Sequence, residues 1–297
     1  MITTHPKRGI ILALAAAASY ALVPNFARFA FLAGVPALET VLVRTLVVVV
    51  VLGLAALLLG YRLVLRRAAW PSFALQCLAT LVVSTCYIGS LQYISVGLSV
   101  LIFYTFPILV VLAAPVVEGR RPSVYAIGLA VLAFLGLAIA IGPSFSQLNP
   151  LGLILAAAGA VGCATQSFSG RMVSQHADPT VFGALVHLAM VPAVVGLVTV
   201  TGDGGFHLTQ GLSLATLLAV LLVGLSYCAG YFLQMSAVKA APTSTVIPFF
   251  NLEPVMTTAI AFLLLGETLT MQHLTGAAMV VVALLATSFL AYRDAKS

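Results

Sequence analysis

Two sets of polar side chains recur at helical spacing inside segments that are otherwise apolar. Tyr227, Tyr231 and Gln234 fall at i, i+4 and i+7, and Thr80, Ser84 and Tyr87 repeat that spacing 147 residues earlier. Such spacing sets three side chains on one face of a helix. Hydroxyls and amides held in that way can bind the polar ends of a small solute, or they can bond a neighbouring helix. Ser99 and Phe103 correspond to Val246 and Phe250 at the same offset. The two phenyl rings could flank an apolar or aromatic solute, or pack a core. His187 lies inside an apolar run and is the counterpart of Arg44. An imidazole there serves either as a proton site or as a donor to another helix. Gln166 and Asn25 are further polar candidates, and Glu253, beside Pro254, is the carboxyl best placed for burial. Pro107, Pro115, Pro242, Pro248 and Pro254 each remove a backbone donor and free a carbonyl. In a chamber such carbonyls could hold an ammonium group; otherwise they kink the helix.

None of this forms a catalytic constellation. There is no GxSxG, HExxH, P-loop or GxGxxG in its required context. No residue is assigned to catalysis, to a cofactor or to a metal. Cys77, Cys86, Cys163 and Cys228 all lie in apolar runs without a CxxC pair, which speaks against disulfide and zinc readings.

The elements that must position these groups are set by composition. Of 297 residues, 62% are hydrophobic and 7% charged, against about 25% charged in a soluble domain. A soluble enzyme, a nucleic-acid binder and a disordered chain are all excluded. A span needs about 20 apolar residues, so the length accommodates about ten. Helices are expected near 9–31, 37–60, 71–91, 94–117, 123–142, 150–172, 179–201, 211–235, 241–265 and 270–292. Period-2 alternation is absent, which argues against a membrane β-barrel.

With the N-terminus in the cytoplasm, the cytoplasmic ends hold Lys7, Arg8, Arg62, Arg66, Arg67, Arg120, Arg121, Arg171, Lys239, Arg293 and Lys296. That leaves only Arg28 and Arg44 elsewhere, as the positive-inside rule requires of an even number of spans.

The chain also repeats. Gly9, Arg28, Pro36 and Arg44 recur as Gly152, Arg171, Pro179 and His187 at an offset of 143, and later pairs such as Pro107 and Pro254 at 147. Five helices per repeat make the second copy enter the membrane from the opposite side, an arrangement that supports alternating access. Tyr87 then falls in the outer half of its helix, and Tyr231 and Gln234 in the inner half of theirs. The two stripes are expected to help close opposite gates.

At these residues the chain resembles the drug/metabolite transporter superfamily of the EamA type. The second repeat has Glu253-Pro254, Gly266-Glu267 and Gly276; the first has Pro107, Glu118-Gly119 and Gly128, with acid and glycine transposed. The resemblance implies ten helices around a cavity lined by helices 1–4 and 6–9, with helices 5 and 10 peripheral, and transport of small metabolites, often amino acids leaving the cell.

The expectation is an all-α polytopic membrane protein of ten transmembrane helices in two inverted five-helix repeats, 9–142 and 150–292. It would sit in the cell inner (plasma) membrane with both termini cytoplasmic. Its partners would be the lipid bilayer and a small-molecule substrate, not nucleic acid. A monomer would suffice, although Gly128 and Gly136 offer a face for a dimer. Lacking a nucleotide-binding domain, it would draw on a gradient. The expected cargo is amino acids with hydrophobic or aromatic side chains, moved outward. The alternatives are efflux of cationic drugs or quaternary amines and, from another class, an intramembrane enzyme or a structural membrane protein.

Overall fold

The computed structural model describes residues 5–119, 121–143, 145, 148–201, 213–266 and 268–294. Glu267, Arg120 and Lys296 lie outside the described residues. Among the described residues, ten segments are long and apolar enough to cross a membrane, and the secondary structure is all-α. In a bilayer core, helices satisfy every backbone group internally.

The first repeat contains α1 (Pro6–Leu32), α2 (Ala37–Leu58), α3 (Trp70–Ser90), α4 (Val96–Phe103), α5 (Phe106–Val117) and α6 (Val124–Ile141). The second contains α7 (Pro150–Val173), α8 (Pro179–Thr201), α9 (Leu214–Ala240), α10 (Thr243–Val246), α11 (Leu252–Leu265) and α12 (Met271–Asp294). The starts follow local chemistry. The side chains of Ser95, Ser123, Asn149 and Ser213 accept from the first-turn amides of α4, α6, α7 and α9, and Pro150 occupies a first-turn position where no donor is needed.

Two spans expected as single helices are broken. The fourth is interrupted between α4 and α5, just before Pro107. The ninth becomes α10, a tighter turn over Ile247–Asn251, and α11. Pro248 lies in that turn and Pro254 just beyond it, where the missing amides cannot continue the ladder.

The packing has the symmetry of an inverted duplication. α1 packs on α9 as α7 packs on α3; α1 packs on α11 as α7 packs on α5; α2 packs on α8; α6 packs on α12. Direction is fixed at one end of the bundle. The His5 amide, at the start of α1, donates to the Ala240 carbonyl (2.9 Å). Arg171, at the end of α7, donates to the carbonyls of Val238 (2.6 Å) and Ala241. The first helix of one repeat therefore begins at the face where its counterpart ends.

Gly136 was a candidate for a dimer face, but it is used within the chain. A Cβ there would come within 2.8 Å of the Gly276 carbonyl oxygen, so the absence of side chains at both positions lets α6 and α12 cross closely.

Candidate functional site

Along the seam between the repeats, the two polar stripes meet other helices rather than lipid. On α9, the Tyr227 ring lies beneath the Arg44 guanidinium, whose carbon is 4.3 Å from the ring centroid. Arg44, from α2, also donates to the Ser84 hydroxyl at 3.1 Å. The stripes of α3 and α9 are thus joined through α2.

One turn on, the Tyr231 hydroxyl accepts from Gln76 Nε2 at 3.0 Å. Gln76 Oε1 accepts from Ser169 at 2.5 Å. Gln166 Nε2 donates to Thr80 Oγ1 at 2.9 Å. Gln234 Oε1 accepts from the Tyr20 hydroxyl at 2.8 Å. The Tyr20 ring lies 5.8 Å from Tyr227 and 6.2 Å from Phe250. Gly230 makes room for it, because a Cβ at that position would lie 2.7 Å from the ring.

His187 is fully buried. Its ring packs edge-on against Tyr231 at 4.6 Å, and its Nδ1 is 2.9 Å from the Gly183 carbonyl, one turn back. A carbonyl only accepts, so Nδ1 carries the proton and Nε2 faces the Tyr227 hydroxyl at 3.4 Å.

On the other side of the seam, the Tyr87 ring packs at a tilt against Phe103, with centroids 4.6 Å apart, and Phe103 meets Tyr104 edge-on at 5.5 Å. The Tyr104 side chain lies beside Glu253. Nearby, the Asn251 Oδ1 atom is buried without a hydrogen-bond partner.

The structure thus brings together ten of the candidates around one interior region: Thr80, Ser84, Tyr87, Phe103, Gln166, His187, Tyr227, Tyr231, Gln234 and Phe250. Ser99 is placed apart. It is fully buried against the Ser90 hydroxyl, tying the end of α3 to the start of α4. Asn25 is likewise spent, bonding the Ala21 and Thr257 carbonyls. Arg44 and Glu253, both singled out in the sequence, also border the site, and Tyr20, Gln76, Tyr104 and Ser169 join it from outside the candidate set. The repeat itself pointed to Arg44 as the counterpart of His187. Gln76 extends the α3 stripe by one turn, at i−4 from Thr80, so the same helical spacing could have found it.

Exposure is uneven along the seam. Tyr231, Gln234, Gln76, Thr80 and His187 are buried, whereas Tyr87, Phe103, Arg44, Tyr20 and Glu253 keep partial exposure. The closed end is the one where Arg171 meets the α9–α10 connection. There Glu118, at the end of α5, accepts from the Thr243 amide (2.6 Å), the Ser244 amide (3.4 Å) and the Ser244 hydroxyl (2.7 Å). Asp178 accepts from Lys239 at 3.0 Å on the same face. Partial burial pushes the Asp178 carboxyl up, but the Thr180 hydroxyl and amide and the Lys239 ammonium outweigh it and hold the group below its ordinary value.

A ten-span bundle of two inverted repeats, with polar and aromatic groups from both copies converging inside it, is the architecture of a secondary transporter. The EamA-like transporter family model matches residues 7–142 and 150–289, and the chain belongs to that family, within the drug/metabolite transporter superfamily. It is 30% identical over 184 residues to the threonine/homoserine exporter RhtA of Salmonella typhimurium, covering 61% of this chain and 58% of that one. It is also 30% identical over 161 residues to a probable amino-acid metabolite efflux pump of the same organism, covering 52% and 54%. The matches therefore span little more than half of these relatives. A solved structure described only as the crystal structure of a protein superposes with a TM-score of 0.83 at 18% identity, over 96% of this chain and 98% of the other. That likeness concerns the fold.

Proposed function

We propose that the protein exports amino acids with hydrophobic or aromatic side chains across the inner membrane by alternating access. The observation that carries this reading is the composition of the seam. Hydroxyls and amides of α3, α7 and α9 converge with the rings of Tyr20, Tyr87, Phe103, Tyr227 and Phe250. Such a lining offers polar partners to the two ends of a small zwitterion and an apolar surface to its side chain. The names of the two exporters above support the same class of cargo.

In this reading the face that carries Glu118, Arg171, Asp178 and Lys239 is cytoplasmic, since the basic residues gather there. Both termini are cytoplasmic and the working units are 9–142 and 150–292. A monomer holds the whole pathway and needs no cofactor; the driving force is a gradient. A second reading, efflux of cationic drugs or quaternary amines, is favoured by Glu253 in the interior. Arg44 beside the same seam works against a ligand carrying only positive charge.

Growth tests separate the two readings. Cells overproducing the protein should tolerate toxic analogues of phenylalanine or leucine better than control cells. Tolerance confined to quaternary ammonium compounds would replace the first reading with the second, and tolerance to neither would remove both.

A further inference from the structure

Arg44 stands about two turns into α2. Its side chain turns into the bundle, where its partners are Ser84 of α3 and Tyr227 of α9. Both are neutral. Among the described residues no acid lies within ion-pair distance of it. A charge without a counter-ion among membrane helices is costly, and it persists where a ligand supplies the partner.

The contacts define which part of the guanidinium is left over. The group carries five N–H donors in one plane. The Tyr227 ring covers one face, with its centroid 4.3 Å from the guanidinium carbon. One Nη2 donor goes to the Ser84 hydroxyl at 3.1 Å. The other donors have no acceptor among the described residues, and the residue keeps partial exposure. A planar fork steadied by a ring on its face and a bond at one corner is suited to both oxygens of a carboxylate. One such base matches a group of a single negative charge.

The location fits the same ligand. Tyr227 lies near the middle of α9. Arg44 covers its ring, and His187, the residue that corresponds to Arg44 in the second repeat, faces its hydroxyl from 3.4 Å. Equivalent positions of an inverted repeat can meet at one side chain only close to the axis that relates them. A site open in turn to either face of the membrane must lie there too. From Tyr227 an aromatic wall continues through Tyr20, 5.8 Å away, to Phe250, 6.2 Å from Tyr20.

We infer that Arg44, held by Tyr227 and Ser84, receives the carboxylate of the transported amino acid, and that the adjoining ring wall takes its side chain. Arg44 is then a specificity-determining residue, which favours acids over the corresponding amides. This rests on the amino-acid reading above and deepens it by naming the group that one end of the solute meets.

The test is calorimetric titration of the purified full chain with L-phenylalanine and with L-phenylalaninamide, in which a neutral amide replaces the carboxylate. The wild type should bind phenylalanine roughly 10- to 100-fold more tightly than the amide, as the loss of charge-assisted hydrogen bonds implies. Arg44→Lys keeps the charge without the fork and should give an intermediate ratio; Arg44→Gln should bring the ratio close to one. A merely structural role for Arg44 would weaken both ligands alike and preserve the wild-type ratio in the variants, and that result overturns the assignment. A wild-type ratio near one overturns it as well, whether or not the variants fold. In either case phenylalanine binding by the wild type leaves the broader reading standing. No binding or transport of any amino acid by the wild type removes the broader reading and the assignment with it.

Discussion

The guanidinium of Arg171 lies 3.8 Å from the carboxylate of Glu118, and the two side chains divide between them the open ends of one chain reversal. Arg171 takes carbonyls left at the end of α9, and Glu118 takes amides left at the start of α10. Helix termini leave such groups unsatisfied, and both side chains match the local dipole in sign. The pair therefore ties α5, α7, α9 and α10 into one closed end.

Glu118→Ala should cost about 3 kcal/mol, because it leaves Arg171 half-paired and the α10 amides bare. A fluorescence-monitored melt in detergent would show a clearly lowered transition. The same change should open the crevice of about 230 Å³ that Glu118, Phe168 and Arg171 line. With the native cysteines replaced, a Phe168→Cys probe should then react severalfold faster with a water-soluble maleimide.

Gly230 is irreplaceable if the Tyr20 ring must lie against α9. Gly230→Ala places a methyl group where the ring now is. Transport should fall at least tenfold, since a small displacement of a positioning group costs about that much. Gly196→Ala, where a Cβ meets nothing within 4 Å, should transport at the wild-type rate.

His187 packs against Tyr231 and bonds the Gly183 carbonyl of its own helix, a setting from which we predict a packing role rather than proton transfer. His187→Ala should destabilise by about 3 kcal/mol through the cavity it leaves against Tyr231. His187→Gln, which keeps a donor and most of the volume, should leave the pH profile of uptake unshifted. A profile that flattens in His187→Gln would assign the imidazole to coupling.

The Asp178–Lys239 tie predicts a pH dependence of stability. A carboxyl held below its unfolded value, about 3.9, contributes fully above that pH and loses its contribution as pH falls through the lower folded value. The melting difference between wild type and Asp178→Asn should be level from pH 5 to 8 and shrink only below about pH 4.

Much of this site is legible in the sequence because helical spacing is local. Tyr227, Tyr231 and Gln234 must share a face wherever α9 lies, and the repeat places Thr80, Ser84 and Tyr87 on the matching face. The choice of partners across helices is not local. Nothing near Tyr20 in the chain announces that its hydroxyl meets Gln234, or that its ring fits because position 230 is glycine. Ser99 shows the converse: it has the right spacing, but the turn after α3 brings Ser90 to it first. The breaks at Pro107 and Pro248 were readable as kinks. That the second would leave Glu253 beside Tyr104 was not, since it depends on how two broken spans meet.

The account stands most directly on counterflow in proteoliposomes. Vesicles holding the purified protein and loaded with unlabelled L-phenylalanine should transiently accumulate external labelled phenylalanine several-fold over protein-free vesicles, and Arg44→Gln vesicles should not. Accumulation at the protein-free level with correctly folded, inserted wild type would contradict it.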